Sequence, residues 1–118
     1  MKSSVIDVDI TVEGPVTVVS LRGDLDSRTA VTVQDEVLKV MSSPCMLAID
    51  LTGLRYMSSA GLRVMLLVYR QAQRVGSSVA LVGLSDEHRM IMDAAGFLRF
   101  FAVTDSATNL QGFFQVSR

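Results

Sequence analysis

The run Cys45–Leu51 constrains the fold more than any other stretch of the chain. It is apolar except for Asp50. A strand without polar alternation is buried on both faces, as in a parallel sheet wrapped by helices. The remaining residues must supply that wrapping. Ile6, Val8, Ile10 and Val12 alternate with Asp7, Asp9 and Thr11, which predicts a half-buried strand. Gly14-Pro15 turns the chain into a second run, Val16–Arg22, and so short a connection predicts an antiparallel hairpin. The alternation slips at Val18-Val19, where a bulge is expected.

Gly23-Asp24-Leu25-Asp26-Ser27 breaks the strand pattern. Asp26 or Ser27 is expected to cap a helix reaching about Ser42, with Val33, Val37, Val40 and Met41 inward. A loop over Thr52–Met57 then leads to a helix beginning near Ser58 or Ser59. Gly76 closes that helix in the left-handed region. Val79–Val82 reads as a buried strand. Ser85 caps a short helix closed by Gly96, with Phe97 folding back on Met92. Arg99–Val103 is a last strand and Asp105–Phe114 a terminal helix, with Ala107, Leu110 and Phe114 on one side. The predicted class is α/β: one domain over residues 1–118, a small mixed sheet of four to five strands packed by about four helices. An opening antiparallel hairpin precedes β-α-β units.

Composition narrows the chemistry. Cys45 and His88 are the only residues of their kinds among 118. A disulfide framework, a multi-thiolate zinc site and any two-imidazole site are excluded. No two glycines are close enough for a G-x-G or Walker loop. Ser59 has Met57 where a nucleophile elbow needs glycine. Ser59, His88 and Asp50 form a triad only on paper; His88 is expected in the first turn of an exposed helix. Cys45 is expected to pack as a small apolar residue. Mean hydropathy is +0.39, yet no apolar run approaches the ~20 residues of a membrane-spanning helix. The acids near the N-terminus argue against a signal peptide. A cytoplasmic protein without cofactor, metal, nucleic-acid partner or membrane partner is expected.

Net charge is −1, but it is unevenly distributed. Residues 1–50 carry eight acids and four bases, while Leu51–Ser85 carries no acid and four arginines, Arg55, Arg63, Arg70 and Arg74. On the second helix, 100° spacing groups Val64, Met65, Val68, Tyr69, Ala72 and Val75 on one face, with Arg63, Arg70 and Arg74 opposite. Leu66 and Leu67 fall beside the arginines. Two adjacent exposed leucines next to a serine pair and three arginines predict a partner-binding patch. The serines follow the carboxyl end of a central strand, where open α/β sheets place their sites.

Gly23-Asp24-Leu25-Asp26-Ser27-Arg28-Thr29-Ala30, the strand-closing Asp50-Leu51, Met57-Ser58-Ser59-Ala60-Gly61-Leu62, Val75-Gly76 and Ala95-Gly96-Phe97 together resemble the STAS family. Within it they resemble the bacterial anti-sigma factor antagonists. The resemblance implies the STAS fold and a signalling protein without enzyme activity that works by partner switching in transcription regulation. Unphosphorylated, such a protein binds an anti-sigma factor with serine kinase activity, built on a histidine-kinase-like ATPase fold, and releases the sigma factor. Phosphorylation switches it off, and a metal-dependent serine phosphatase resets it. The matching acceptor is Ser59, with Ser58 as the alternative. Ser58 stands where the family usually has an acidic residue. Partner contacts are implied for Asp24 and Asp26 and for Met57, Ser58, Ala60, Gly61, Arg63, Leu66, Leu67 and Arg70. A second reading keeps the fold but makes the chain an unphosphorylated STAS interaction subunit of a stress-signalling, secretion-regulating or lipid-transport complex.

Overall fold

A computed structural model describes residues 6–105. Two strands open the chain, β1 (Ile6–Glu13) and β2 (Val16–Leu25), followed by helix α1 (Ala30–Val40). Strand β3 (Met46–Met57), helix α2 (Ser59–Val75) and strand β4 (Ser78–Val82) come next. Helix α3 (Asp86–Ala94), a single 3-10 turn at Leu98–Phe100 and strand β5 (Ala102–Thr104) complete the described residues. The sheet order is β1-β2-β3-β4-β5; β1 runs antiparallel to β2 and every other pair is parallel. The expected hairpin and β-α-β units are therefore present. Three α-helices pack among the described residues, and the helix predicted over Asp105–Phe114 lies outside them from residue 106 onward.

Alternation sorts each strand between two cores. Val19, Leu21, Leu47, Ile49 and Leu81 face all three helices, meeting Val33, Val37, Val64, Met65, Val68 and Met92 in one large cluster. Fully burying such a side chain contributes about 1.5–3 kcal/mol. The alternate residues Val16, Val18, Ala48, Ala80 and Val82 form a smaller buried cluster on the opposite face. Leu47, Ala48 and Ile49 are buried on both faces of β3, as the apolar run required.

The strands are longer than expected. The sequence predicts a break after Arg22 and a loop at Thr52–Met57, yet β2 runs to Leu25 and β3 to Met57. The two pair with Ser20 opposite Asp50, Arg22 opposite Gly53, Gly23 opposite Leu54 and Asp24 opposite Tyr56. At each irregularity β3 advances one residue more than β2. These bulges change the spacing of buried residues on β3 from two to three, giving Leu51, Leu54 and Met57. The irregularities lie here and not at Val18-Val19. Leu21, Leu25 and these three residues extend the core beneath the end of the sheet from which α2 starts.

The start of α1 also differs. Neither Asp26 nor Ser27 is its N-cap. Thr29 takes that position and its side chain does not cap the helix. The buried Thr29 hydroxyl instead donates to Asp24 O at 2.7 Å and accepts from Asp26 N at 3.0 Å. The Asp26 carboxylate accepts from Arg28 N at 2.9 Å. The turn thus folds around a threonine hydroxyl.

At the other edge, Tyr69 of α2 stacks on Phe100 at 4.8 Å between ring centroids and meets Phe101 edge-on at 5.9 Å. This anchors the 3-10 turn and β5 to the helix layer. The last strand begins at Ala102 rather than Arg99 because that turn intervenes.

Candidate functional site

The end of β3 delivers the chain directly into α2. Ser58 has extended backbone angles, and its hydroxyl accepts from Ala60 N at 3.1 Å. It is the N-cap, satisfying one of the free amides of the first turn. Its own N–H donates to Leu25 O at 2.9 Å, tying the helix start to the end of β2. Ser59 is the first helical residue and is exposed. The two serines are therefore chemically unequal: one hydroxyl is committed to the helix, and the other faces solvent with no hydrogen bond to a described residue.

Gly61 explains how α2 can lie so close to the strand. A Cβ there would sit 2.9 Å from both Leu25 Cγ and Met57 Cγ, and 3.0 Å from Leu25 O. Those distances are below ordinary carbon contact, so any side chain would lift the helix start. Together, the hydrogen bond from Ser58 N–H to Leu25 O and the bare Cα of Gly61 clamp the serine pair onto the sheet.

The predicted site residues divide into three groups. Arg63 and Arg70 are exposed, and Ser58, Ala60, Asp24 and Asp26 are half-buried around the helix start. Leu66 and Leu67 are half-buried rather than exposed, because neighbouring elements flank them. Met57 and Gly61 are buried; Met57 retains 3% exposure and points into the core. Its side chain is therefore a support beneath the surface and not a contact on it.

Ser59 lies on the rim of an apolar depression of about 250 Å³ lined by Leu62, Arg63, Leu66, Ala95 and Phe97. Ala95 and Phe97 arrive from the end of α3, a tertiary neighbour that spacing along α2 cannot reveal. Gly96, at φ +81°, makes that approach, and Phe97 N donates to Met92 O at 2.9 Å in the helix-closing turn the sequence predicted. At the end of β2 and in the turn before α1, Asp24 pairs with Arg55 at 3.3 Å and Asp26 with Arg28 at 3.6 Å. Arg63, Arg70 and Arg74 have no carboxylate within 4.0 Å among the described residues.

No catalytic constellation forms around these groups. His88 is buried at 3% exposure instead of lying on an exposed face, and its Nδ1 has no hydrogen-bond partner among the described residues. It shares the inward side of α3 with Met92, one turn on. The Asp50 carboxylate accepts from Thr52 N at 3.0 Å and from the Thr52 hydroxyl at 2.6 Å. No hydrogen bond joins Asp50, His88 and Ser59. Cys45 is half-buried against the main core, and its N–H donates to the Ser77 hydroxyl at 2.9 Å. No described helix is long and apolar enough to cross a membrane.

A mixed five-stranded sheet, three described helices gathered on one face, and a serine pair held at a strand–helix junction together give the class of fold. The STAS domain family model matches residues 7–110, and the chain belongs to that family. It is 36% identical over 87 residues to BtrV of Bordetella bronchiseptica, designated an anti-sigma factor antagonist; the match covers 73% of this chain and 75% of BtrV. An anti-sigma factor antagonist from Mycobacterium paratuberculosis superposes with a TM-score of 0.75 at 24% identity, covering 97% of this chain and 96% of that one. The antagonist SpoIIAA in its unphosphorylated form gives a TM-score of 0.73 at 17% identity, covering 94% of this chain and 96% of that one. At those identities the two structures share the fold.

Proposed function

We propose that this chain is an anti-sigma factor antagonist, a regulatory binding protein rather than an enzyme, switched by phosphorylation of Ser59. Its partner in this reading is a cytoplasmic anti-sigma factor with serine kinase activity. A metal-dependent serine phosphatase restores the binding form. The likeness to BtrV supports the antagonist role. The observation that carries the switch is the inequality of the serines: Ser58 spends its hydroxyl on Ala60 N, while Ser59 is exposed beside an apolar depression.

A phosphate on Ser59 adds about −1.5 to −2 charge at neutral pH. The helix start tolerates it, since a negative group in the first turn is favoured by ~0.3–1 kcal/mol. Arg63 is four residues on, within reach of the same face. The domain therefore stays folded, and the cost falls on a partner that must desolvate a dianion beside Leu62 and Phe97. A loss of ~3 kcal/mol at that contact lowers affinity more than a hundredfold.

The test is phosphosite mapping after co-expression with the cognate kinase, with Ser58→Ala and Ser59→Ala side by side. Ser58→Ala is expected to keep its phosphate and Ser59→Ala to lose it while binding constitutively. Ser59→Asp is expected to bind weakly. Undiminished phosphate in Ser59→Ala would transfer the role to another residue. A stable complex with no phosphate in any form would favour the unphosphorylated interaction-subunit reading.

A further inference from the structure

The helix layer carries a second feature that the serine pair does not use. Along α1, Ala30, Gln34 and Leu38 recur at intervals of four, and along α2 Leu67, Arg70 and Arg74 recur on the facing side. Two depressions lie between the helices. One of about 230 Å³ is bounded by Val31, Gln34, Arg63 and Leu67; the other, of about 210 Å³, is bounded by Gln34, Leu38, Leu67, Arg70 and Arg74. Gln34 and Leu67 line both, so the two form one groove along the helix pair. Leu38 and Leu67, both half-buried, supply an apolar strip in its lining beside Gln34 and Gln71. At its upper end Val31 is 66% exposed. The α2 wall is cationic: Arg63, Arg70 and Arg74 have no carboxylate partner among the described residues, and Arg74 donates to the side-chain Oε1 of Gln71 at 3.2 Å.

We infer that the α1–α2 groove docks an acidic amphipathic segment of a protein partner, with apolar side chains over Leu38 and Leu67 and carboxylates against Arg63, Arg70 and Arg74. The proposal rests on the reading of α2 as a partner surface and adds the partner's chemistry. Three arginines on one wall without internal acids leave a field that only an outside anion can complement. Leu38 and Leu67 select against a nucleic-acid backbone, which has nothing to seat over them. An amphipathic helix offers both required faces at once.

The test needs neither Ser59 nor a kinase. The full chain is titrated with a labelled Leu/Glu amphipathic peptide of about five helical turns, with a Leu/Lys peptide of the same pattern, and with nonspecific duplex DNA. Anisotropy reads binding, and amide shifts at Gln34, Leu38 and Leu67 locate it. Only the Leu/Glu peptide is expected to bind, in a salt-sensitive manner. Arg70→Glu/Arg74→Glu is expected to weaken it by roughly tenfold or more, and Arg70→Lys/Arg74→Lys to retain it. No binding of the acidic peptide at about 1 mM, equal binding of both peptides, or tighter binding of DNA overturns the inference. The Ser59 switch would be untouched by that failure. Conversely, loss of the switch would leave the peptide result standing.

Discussion

At the residue scale, adjacent side chains of one type do different work. Ser58→Ala removes a cap and is expected to cost about 1 kcal/mol, read as a lower urea midpoint. Gly61→Ala is expected to cost more, about 1–3 kcal/mol, because the new methyl meets Leu25 and Met57 at contact distances the core cannot relieve without moving α2. The capping role of a serine before α2 is legible in the sequence, since a β-to-helix junction wants a short oxygen-bearing side chain. The need for glycine at 61 is not, because it depends on how closely β2 approaches. His88 shows the opposite failure. Its polarity suggests exposure, but its position one turn from Met92 puts it inside. An unpartnered buried Nδ1 carries a desolvation penalty. His88→Leu is therefore expected to raise stability by about 1 kcal/mol in chemical denaturation.

At the element scale, the strands explain why part of the site resisted reading. Up to Leu51 the apolar pattern of β3 reports its burial directly. Beyond it, two bulges stretch the spacing to Leu51, Leu54 and Met57, a period of three that matches no regular strand. The segment consequently reads as a loop, and Met57 as a surface residue. The turn before α1 is similar: its acids suggest a cap, whereas the order comes from Thr29. Thr29→Val would remove the hydroxyl that Asp26 N and Asp24 O both bond in a half-buried setting. The expected cost is about 1–3 kcal/mol, with faster amide hydrogen exchange at Asp26. Val33, Val37, Val64 and Val68, by contrast, are buried as helical spacing predicts.

At the scale of the molecule, charge is divided by element. The outer edge strand β1 carries Asp7, Asp9 and Glu13, all exposed, while Ile10 and Val12 on its other face are 42% and 71% exposed. An unpaired, partly apolar edge invites strand-to-strand association, and acids there oppose it. The combined variant Asp7→Asn, Asp9→Asn, Glu13→Gln is expected to sediment faster as concentration rises, beyond any such trend in the parent. A parent-like profile would mean that the strand's twist or length, not its charge, protects the edge. The α/β class and the order of elements were readable because burial on two faces leaves an unbroken apolar run. The division of α2 between an apolar depression at Ser59 and an arginine-walled groove was not. It depends on which helix lies on either side.

The hydrogen bond from Ser58 N–H to Leu25 O and the close seat of Gly61 fix the start of α2 to the sheet before any modification occurs. A group added at Ser59 would therefore act as a label and not as a lever. No domain has to rotate and no segment has to melt. The speed of the response would be set by chemistry and by encounter with the partner, without a conformational delay between them.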